Sequence, residues 1–422
     1  MNPFHYHNQK LYCESVDLES IAKKYGTPCY IYSQYQFEKN YHTFDQAFNN
    51  RKHLICFSVK ANSNIAILNL LARLGAGFDI VSGGELLRVL AAGGNSQKVV
   101  FSGVGKTVDD ISLALKHDVF CFNVESISEL MRLNTMAHTL QKKASIAIRV
   151  NPDIDAKSHP YISTGLKENK FGLSIPMAIE AYKIAQQLPH INIIGIDYHI
   201  GSQITQLSPF INAYRRIEEL IVELEKIGIS FSHIDMGGGL GICYRDEKPP
   251  TPENWIKALV ACTAARQETI IIEPGRSISA QAGILLTQVE YLKQTETKNF
   301  AIVDAGMNDL IRPTLYQAWQ NIIPVNKKQS AQNLATIEVV GPVCESSDVF
   351  ATDRKLGLSE GDLLAICDVG AYGFSMSSNY NSRARPAEVL INKENAYLIR
   401  EREPLESLFS MEHIPKTSSD IC

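Results

Sequence analysis

Between Leu54 and Glu273 the chain repeats one pattern: a short β-branched apolar run, a turn, then a longer segment with apolar residues at helical spacing. Strands joined through helices run parallel, and each crossover must be covered, so this alternation leaves few folds open. Eight runs have the character of strands: LICFSV (54–59), FDIV (78–81), KVVFSG (98–103), VFCFNV (119–124), SIAIRV (145–150), INIIGIDYHI (191–200), SHIDM (232–236) and ETIIIE (268–273). Helices are expected over 64–75, 83–92, 107–116, 125–138, 176–187, 208–227 and 252–267. Eight such units in about 220 residues have the size of a (β/α)8 barrel, whereas a doubly wound sheet rarely needs so many in succession.

A barrel of this kind does its chemistry where the strands end. Lys60, Asp79, His199, the glycines 237 to 239 and Glu273 all fall at or just past such ends. Burial of Lys60 after an apolar strand is expected to lower its pKa and free the amine to attack an aldehyde. MGGGLG (236–241) fits a tight turn equally well, but its unhindered N–H groups also suit a phosphate. The EPGR turn (Glu273, Pro274, Gly275, Arg276) and the Ser202 hydroxyl offer further donors. A lysine amine, an anion cradle and the Glu273 carboxylate are what pyridoxal phosphate needs from a protein.

After Gly275 the rhythm changes to short strands separated by turns, which reads as a second, mainly β domain. The expected division is a barrel over 36–282 and a β domain formed by 1–35 and 283–422, with PCYIYS joining the latter. In that domain GPVCESSD sets Cys344 beside Glu345, DLIRPTLY carries Arg312 and Tyr316, and GAYGFSMSSNYN carries Tyr372; composition alone leaves these open as surface loops.

With 41 basic and 45 acidic side chains the net charge is -4, which favours neither nucleic acid nor an anionic membrane. Nine cysteines without a CxxC pair point away from a disulfide framework and from a bound metal, and toward the cytoplasm. No apolar stretch reaches the ~18 residues of a spanning helix, and the N-terminus lacks the basic and apolar segments of an export signal.

Taken together, SVKAN, FDIVSGGEL, NVES, RVNPD, HPYISTGLKENKFG, HIGSQ, DMGGGLG, EPGR, DAGMNDLIRPTLY, GPVCESSD and GAYGFSMSSNYN resemble the fold-type III pyridoxal phosphate decarboxylases, within them the branch acting on diaminopimelate. The resemblance runs along nearly the whole chain. It implies an alanine racemase-like barrel with a β domain, and a homodimer with shared active sites. By the same resemblance Lys60 is the Schiff-base lysine, His199 stacks on the cofactor ring and Glu273 meets its nitrogen. Asp79, Ser202, Gly237, Gly238, Gly239, Pro274, Gly275, Arg276 and Tyr372 surround the cofactor. Arg276, Arg312, Tyr316, Glu345 and Tyr372 bind an amino-acid substrate, and Cys344 of the neighbouring subunit gives a proton.

Two arginines suit a substrate with a distal carboxylate, which ornithine lacks, and the ornithine enzymes typically carry Cys-Asp where Cys344-Glu345 stands here. Decarboxylases of ornithine, arginine or carboxynorspermidine are the nearest alternative. An alanine racemase prefers a less protonated ring, which Glu273 disfavours. A non-catalytic carrier of the cofactor tends to be a bare barrel.

Overall fold

The computed structural model describes residues 3–155, 170–327 and 334–415. Most of HPYISTGLKENKFG falls outside them, and only Lys170, Phe171 and Gly172 of that motif are described. The chain divides into two compact units, one formed by Gln34–Gly283 with Asp368–Ser375, the other by the remaining segments.

The first unit is a closed barrel of eight parallel strands: β1 (His53–Ser58), β2 (Gly77–Ile80), β3 (Val99–Phe101), β4 (Cys121–Val124), β5 (Ala144–Asn151), β6 (Ile191–Asp197), β7 (His233–Asp235) and β8 (Thr269–Ile272). Each strand pairs with its neighbours in sequence, and β8 returns to β1 with Ile270 opposite His53. All eight runs expected from the sequence are strands. A two-residue strand, Leu173–Ser174, adds to β5.

Polar residues at the starts of five barrel helices fix where they begin. The Asn64, Ser82, Ser126 and Thr251 side chains accept backbone N–H groups of the first turn, and Thr107 forms a reciprocal capping box with Asp110. Each cap stabilises its helix by about 1 kcal/mol. The helix expected over 252–267 stops at Cys262. The Thr263 hydroxyl bonds back to the Leu259 carbonyl there, and Arg266 beyond it pairs with Glu225 and Glu268.

Lower in the barrel, Cys56, Val100, Cys121, Ala147 and Ile271 pack into a plug against Leu54, Phe120 and Ile194. His233 is buried beside them, and burial pushes its imidazole down to about 4, so it is neutral. Its ring occupies the space a side chain at Gly195 would need. Small and large residues alternate here because eight inward-facing strands leave no room for uniform bulk.

The second unit is mainly β. Its main sheet runs in the order Val349–Leu356, Ala335–Val340, Asn299–Val303, Gly283–Gln294, Cys29–Ser33, Ala387–Asn392 and Asn395–Arg400. PCYIYS does supply a strand, parallel to Ala387–Asn392. One strand and one hairpin have little sequence signal. Val349–Leu356 lies at the sheet edge and carries Asp353, Arg354 and Lys355, so no apolar run announces it. The hairpin Phe4–His7 with Lys10–Cys13 turns through Asn8 and Gln9, both at positive φ, without the glycine that usually marks such a turn. Leu11, Cys13, Leu18, Ile31, Leu286 and Val389 are among the residues of this unit's core.

Residues 368–375, expected in the β domain, belong with the barrel. The Tyr372 N–H bonds to the Ala61 carbonyl at 2.8 Å, and Asn62 Nδ2 donates to the Gly370 carbonyl at 3.1 Å. Among the described residues no helix is long and apolar enough to cross a membrane.

Candidate active site

Lys60 stands in the short turn Val59–Ala61 that continues β1, and Asp79 lies in β2 alongside. The Lys60 Nζ to Asp79 Oδ2 distance is 2.5 Å, and Ser58 Oγ donates to the same oxygen at 2.8 Å. Asp79 is fully buried, while the Lys60 side chain keeps 42 % of its surface accessible because it faces the open barrel mouth. Burial alone would lower the ammonium's pKa, but the negative charges of Asp79 and Glu273 and the bond to Asp79 outweigh it and raise the value. This corrects the expectation of a lowered pKa: the lysine ends beside a carboxylate the barrel has already desolvated, and so remains an ammonium.

Glu273, at the end of β8, is 7 % exposed and joins two further acids at the ends of β6 and β7. Carboxylate oxygens of Asp197, Asp235 and Glu273 lie within 4.8 Å of one another. Burial raises all three; the charge of Asp235 adds to it at Asp197 and Glu273, and that of Asp79 at Asp235, which reaches about 7 although hydrogen bonds from the Gly237 N–H, Asn123 and Glu273 lower it. Ser102 Oγ donates to Glu273 Oε1 at 3.4 Å, and Asn123 Nδ2 donates to Ser102 Oγ at 3.1 Å. Arg149 supplies positive charge to this interior while bonded to Glu125 at 3.1 Å, with its guanidinium over the Phe171 ring. Glu125 also accepts the N–H groups of Gly103 and Gly172, so one carboxylate ties three strand-end segments together.

The loops after β6 and β7 behave as one body. The Gly238 N–H donates to His199 Nδ1 at 3.2 Å, Ile204 N–H to the Gly239 carbonyl at 2.9 Å, and Gly241 N–H to the Ile204 carbonyl at 3.0 Å. A side chain at Gly238 would strike the Glu273 carbonyl oxygen, and Gly239 has φ +104°, so neither position tolerates another residue. Burial first, then the charges of Arg149 and Lys60, holds His199 well below its usual pKa, so its ring is neutral.

Arg276 is 7 % exposed. Its Nη2 donates to Ser202 Oγ at 3.0 Å, its Nη1 to the Tyr244 hydroxyl at 2.7 Å, and the Tyr372 ring centroid lies 4.9 Å from the guanidinium carbon. Tyr372 adopts φ +55°, unusual for a bulky residue, and packs its hydroxyl toward Gly275. Ser58 N–H bonds the Pro274 carbonyl, linking the EPGR turn to the base of the lysine turn.

Lys60, Asp79, His199, Ser202, Gly237, Gly238, Gly239, Glu273, Pro274, Gly275, Arg276 and Tyr372 therefore all belong to the barrel unit. Arg312, Tyr316, Cys344 and Glu345 belong to the β unit. There Arg312 is buried at the start of the helix Arg312–Tyr316, and Cys344 and Glu345 are exposed on their turn. The Cys344 N–H donates to Asn381 Oδ1 at 2.9 Å, and the Tyr380 hydroxyl donates to Glu345 at 2.5 Å. Asp197, Asp235, Arg149, Glu125 and Tyr244 escape sequence reasoning. Three of them are single polar letters inside apolar strands, and only the rule that barrel strand ends carry chemistry points to them.

A lysine held beside a buried carboxylate, a second buried carboxyl group, a neutral imidazole and a backbone cradle closed to side chains fit pyridoxal phosphate. The chain belongs to the pyridoxal-dependent decarboxylase family, whose pyridoxal binding domain matches residues 34–280. Within that family it is 55% identical over 416 residues to the diaminopimelate decarboxylase of Vibrio cholerae, covering 98% of this chain and 99% of that one. It is 54% identical over 413 residues to the diaminopimelate decarboxylase of Haemophilus influenzae, again covering 98% and 99%. The crystal structure of the Helicobacter pylori diaminopimelate decarboxylase complexed with L-lysine is similar with a TM-score of 0.90 at 43% identity, covering 94% of this chain and 99% of that one.

Proposed function

We propose that the protein decarboxylates meso-2,6-diaminopimelate to L-lysine and CO2, the last step of lysine biosynthesis, with pyridoxal 5'-phosphate as its cofactor. The observation that carries this reading is near full-length similarity to diaminopimelate decarboxylases at 54–55% identity. The buried Glu273 and the Lys60–Asp79 pair give it a chemical basis.

Pyridoxal phosphate, when bound, supplies a carbonyl that condenses with amines and a protonated ring that accepts the electrons left by departing CO2. Lys60 is the residue that anchors it, and Asp79 keeps that amine charged until the cofactor enters. Glu273, its carboxyl raised by burial and by Asp235, Asp79 and Asp197, holds a proton at the ring nitrogen. His199, neutral, presents its flat face to the ring. Ser202, the glycines 237 to 239, Gly275, the Arg276 backbone and Tyr372 hold the phosphate with mostly neutral donors. Arg276, Arg312 and Tyr316 bind substrate carboxylate, Glu345 binds the distal ammonium, and Cys344 delivers a proton to the α-carbon.

The assembly belonging to this reading is a homodimer in which Cys344 and Glu345 serve the partner's barrel, and their exposure within their own chain supports it. The barrel over 36–282 would hold the cofactor, and the β domain formed by 1–35 and 283–422 would bring substrate and interface residues. Eight described cysteines are free thiols, in keeping with a place in the cytoplasm. The test is to supply purified holoprotein with meso-diaminopimelate, ornithine and arginine separately and measure CO2 and product. L-lysine from the first alone is expected, and faster turnover of ornithine or arginine would overturn the substrate assignment.

A further inference from the structure

The loop after the glycine run ends on Tyr244, in the sequence only the tail of GLGICY. It is 8 % exposed, and its hydroxyl accepts the Arg276 Nη1–H at 2.7 Å. With the Ser202 bond on Nη2, two neutral oxygens hold the guanidinium in its own plane while the Tyr372 ring covers a face. Each of these contacts fixes direction without cancelling charge. A carboxylate in place of Tyr244 would hold Arg276 as firmly but would neutralise it, and a guanidinium meant for a ligand carboxylate must keep its charge.

Local structure secures Tyr244 in turn. Its N–H and that of Arg245 both donate to Glu247 Oε2, at 2.9 and 2.8 Å. Two residues earlier the Gln203 amide grips Ile242 on both sides, Oε1 accepting its N–H at 3.1 Å and Nε2 donating to its carbonyl at 2.6 Å. Gln203 directly follows Ser202, so the two hydroxyls that meet Arg276 stand on loops tied to each other.

We propose that Tyr244 is a positioning residue for substrate recognition: its hydroxyl aims the Arg276 guanidinium at a substrate carboxylate, so that affinity for a dicarboxylic amino acid depends on it. The proposal rests on the reading of Arg276 as a carboxylate-binding residue. It separates Tyr244 from the phosphate cradle, although both share one pair of loops. Loss of the hydroxyl leaves the ring, the loop and the cradle in place and releases only the direction of Arg276.

The test compares Tyr244→Phe and Arg276→Lys with the native holoenzyme on meso-diaminopimelate, with cofactor affinity measured by absorbance titration and the bound phosphate followed by 31P NMR. For Tyr244→Phe the expected result is a KM raised about ten-fold with kcat within a factor of about two. Cofactor affinity and the phosphate resonance should not move. An unchanged KM in Tyr244→Phe beside a raised KM in Arg276→Lys overturns the role of Tyr244 and leaves the Arg276 reading standing. An unchanged KM in both overturns that reading, and the proposal with it. A cofactor affinity that falls in step with KM makes Tyr244 a structural part of the cradle and likewise overturns it.

Discussion

Both units bury carboxylates, but they give them different company. In the barrel Asp79, Asp197, Asp235 and Glu273 face one another, a lysine and an arginine, and Asp79 Oδ1, Asp197 Oδ1 and Asp235 Oδ2 are buried without a hydrogen-bond partner. In the β unit several acids tie down backbone, while the buried Glu388 accepts the Tyr32 hydroxyl. Asp348 accepts the N–H groups of Met307 and Val343, Asp309 that of Gly306, and Asp304 that of Gln288 together with the Thr287 hydroxyl. A carboxylate bonded to N–H groups stabilises the fold that presents them, whereas carboxylates crowded together cost folding energy. The barrel therefore holds crowded acids at a cost to its own stability, as expected where such groups serve a ligand.

The largest expected effect tests whether both units are needed for one site. Lys60→Ala should lose more than about a thousand-fold in turnover together with covalent cofactor attachment, read by absorbance and borohydride trapping. Cys344→Ala should be nearly inactive as well. Dissociating, mixing and reassembling equal pools of the two should restore about a quarter of native activity, since half the dimers then hold one intact site. No recovery with heterodimers present would mean that each site is built within one chain.

Glu273→Gln comes next, with an expected fall in kcat of roughly a hundred-fold or more while the cofactor stays bound, because an amide cannot hold the ring proton. Near-native turnover would remove the reason for the acid cluster.

The comparison itself is sharpened by stability measurements. Asp348→Ala should destabilise the protein by roughly 2 to 4 kcal/mol in urea unfolding, because two N–H groups lose their acceptor. Asp235→Asn should instead flatten a pH dependence. The folded Asp235 carboxyl stands at about 7 against an ordinary 3.8, so the folded state keeps a proton that the unfolded chain releases. Its contribution is intact below the unfolded value and is lost as pH rises toward about 7. In the apoprotein of the Asp235→Asn variant the slope of unfolding free energy over that window should be less negative by up to about 1.4 kcal/mol per pH unit. An unchanged slope would place the shared proton elsewhere.

The barrel is legible in the sequence because each strand is an apolar run, and the candidate site because its charged residues fall at strand ends, although the glycine run there suits a tight turn equally well. What escapes has physical causes. Asp197 and Asp235 look like ordinary interruptions in GID and HID, and their crowding emerges only when β6, β7 and β8 lie side by side. The charge state of Lys60 cannot be read from burial alone, because it is set by Asp79, nineteen positions away in β2. Val349–Leu356 and the Asn8–Gln9 turn lack the apolar run and the glycine that normally announce such elements.

The return of residues 368–375 to the barrel has a bearing on how the enzyme is made. Tyr372, bonded to Ala61 and lying over Arg276, emerges from the ribosome only after the strands of the β unit from Gly283 to Ile366 have been synthesised. The catalytic half is thus no module that a shortened gene could encode. A nascent chain ending near Gly283 would carry all eight barrel strands and still lack the tyrosine that lies over Arg276.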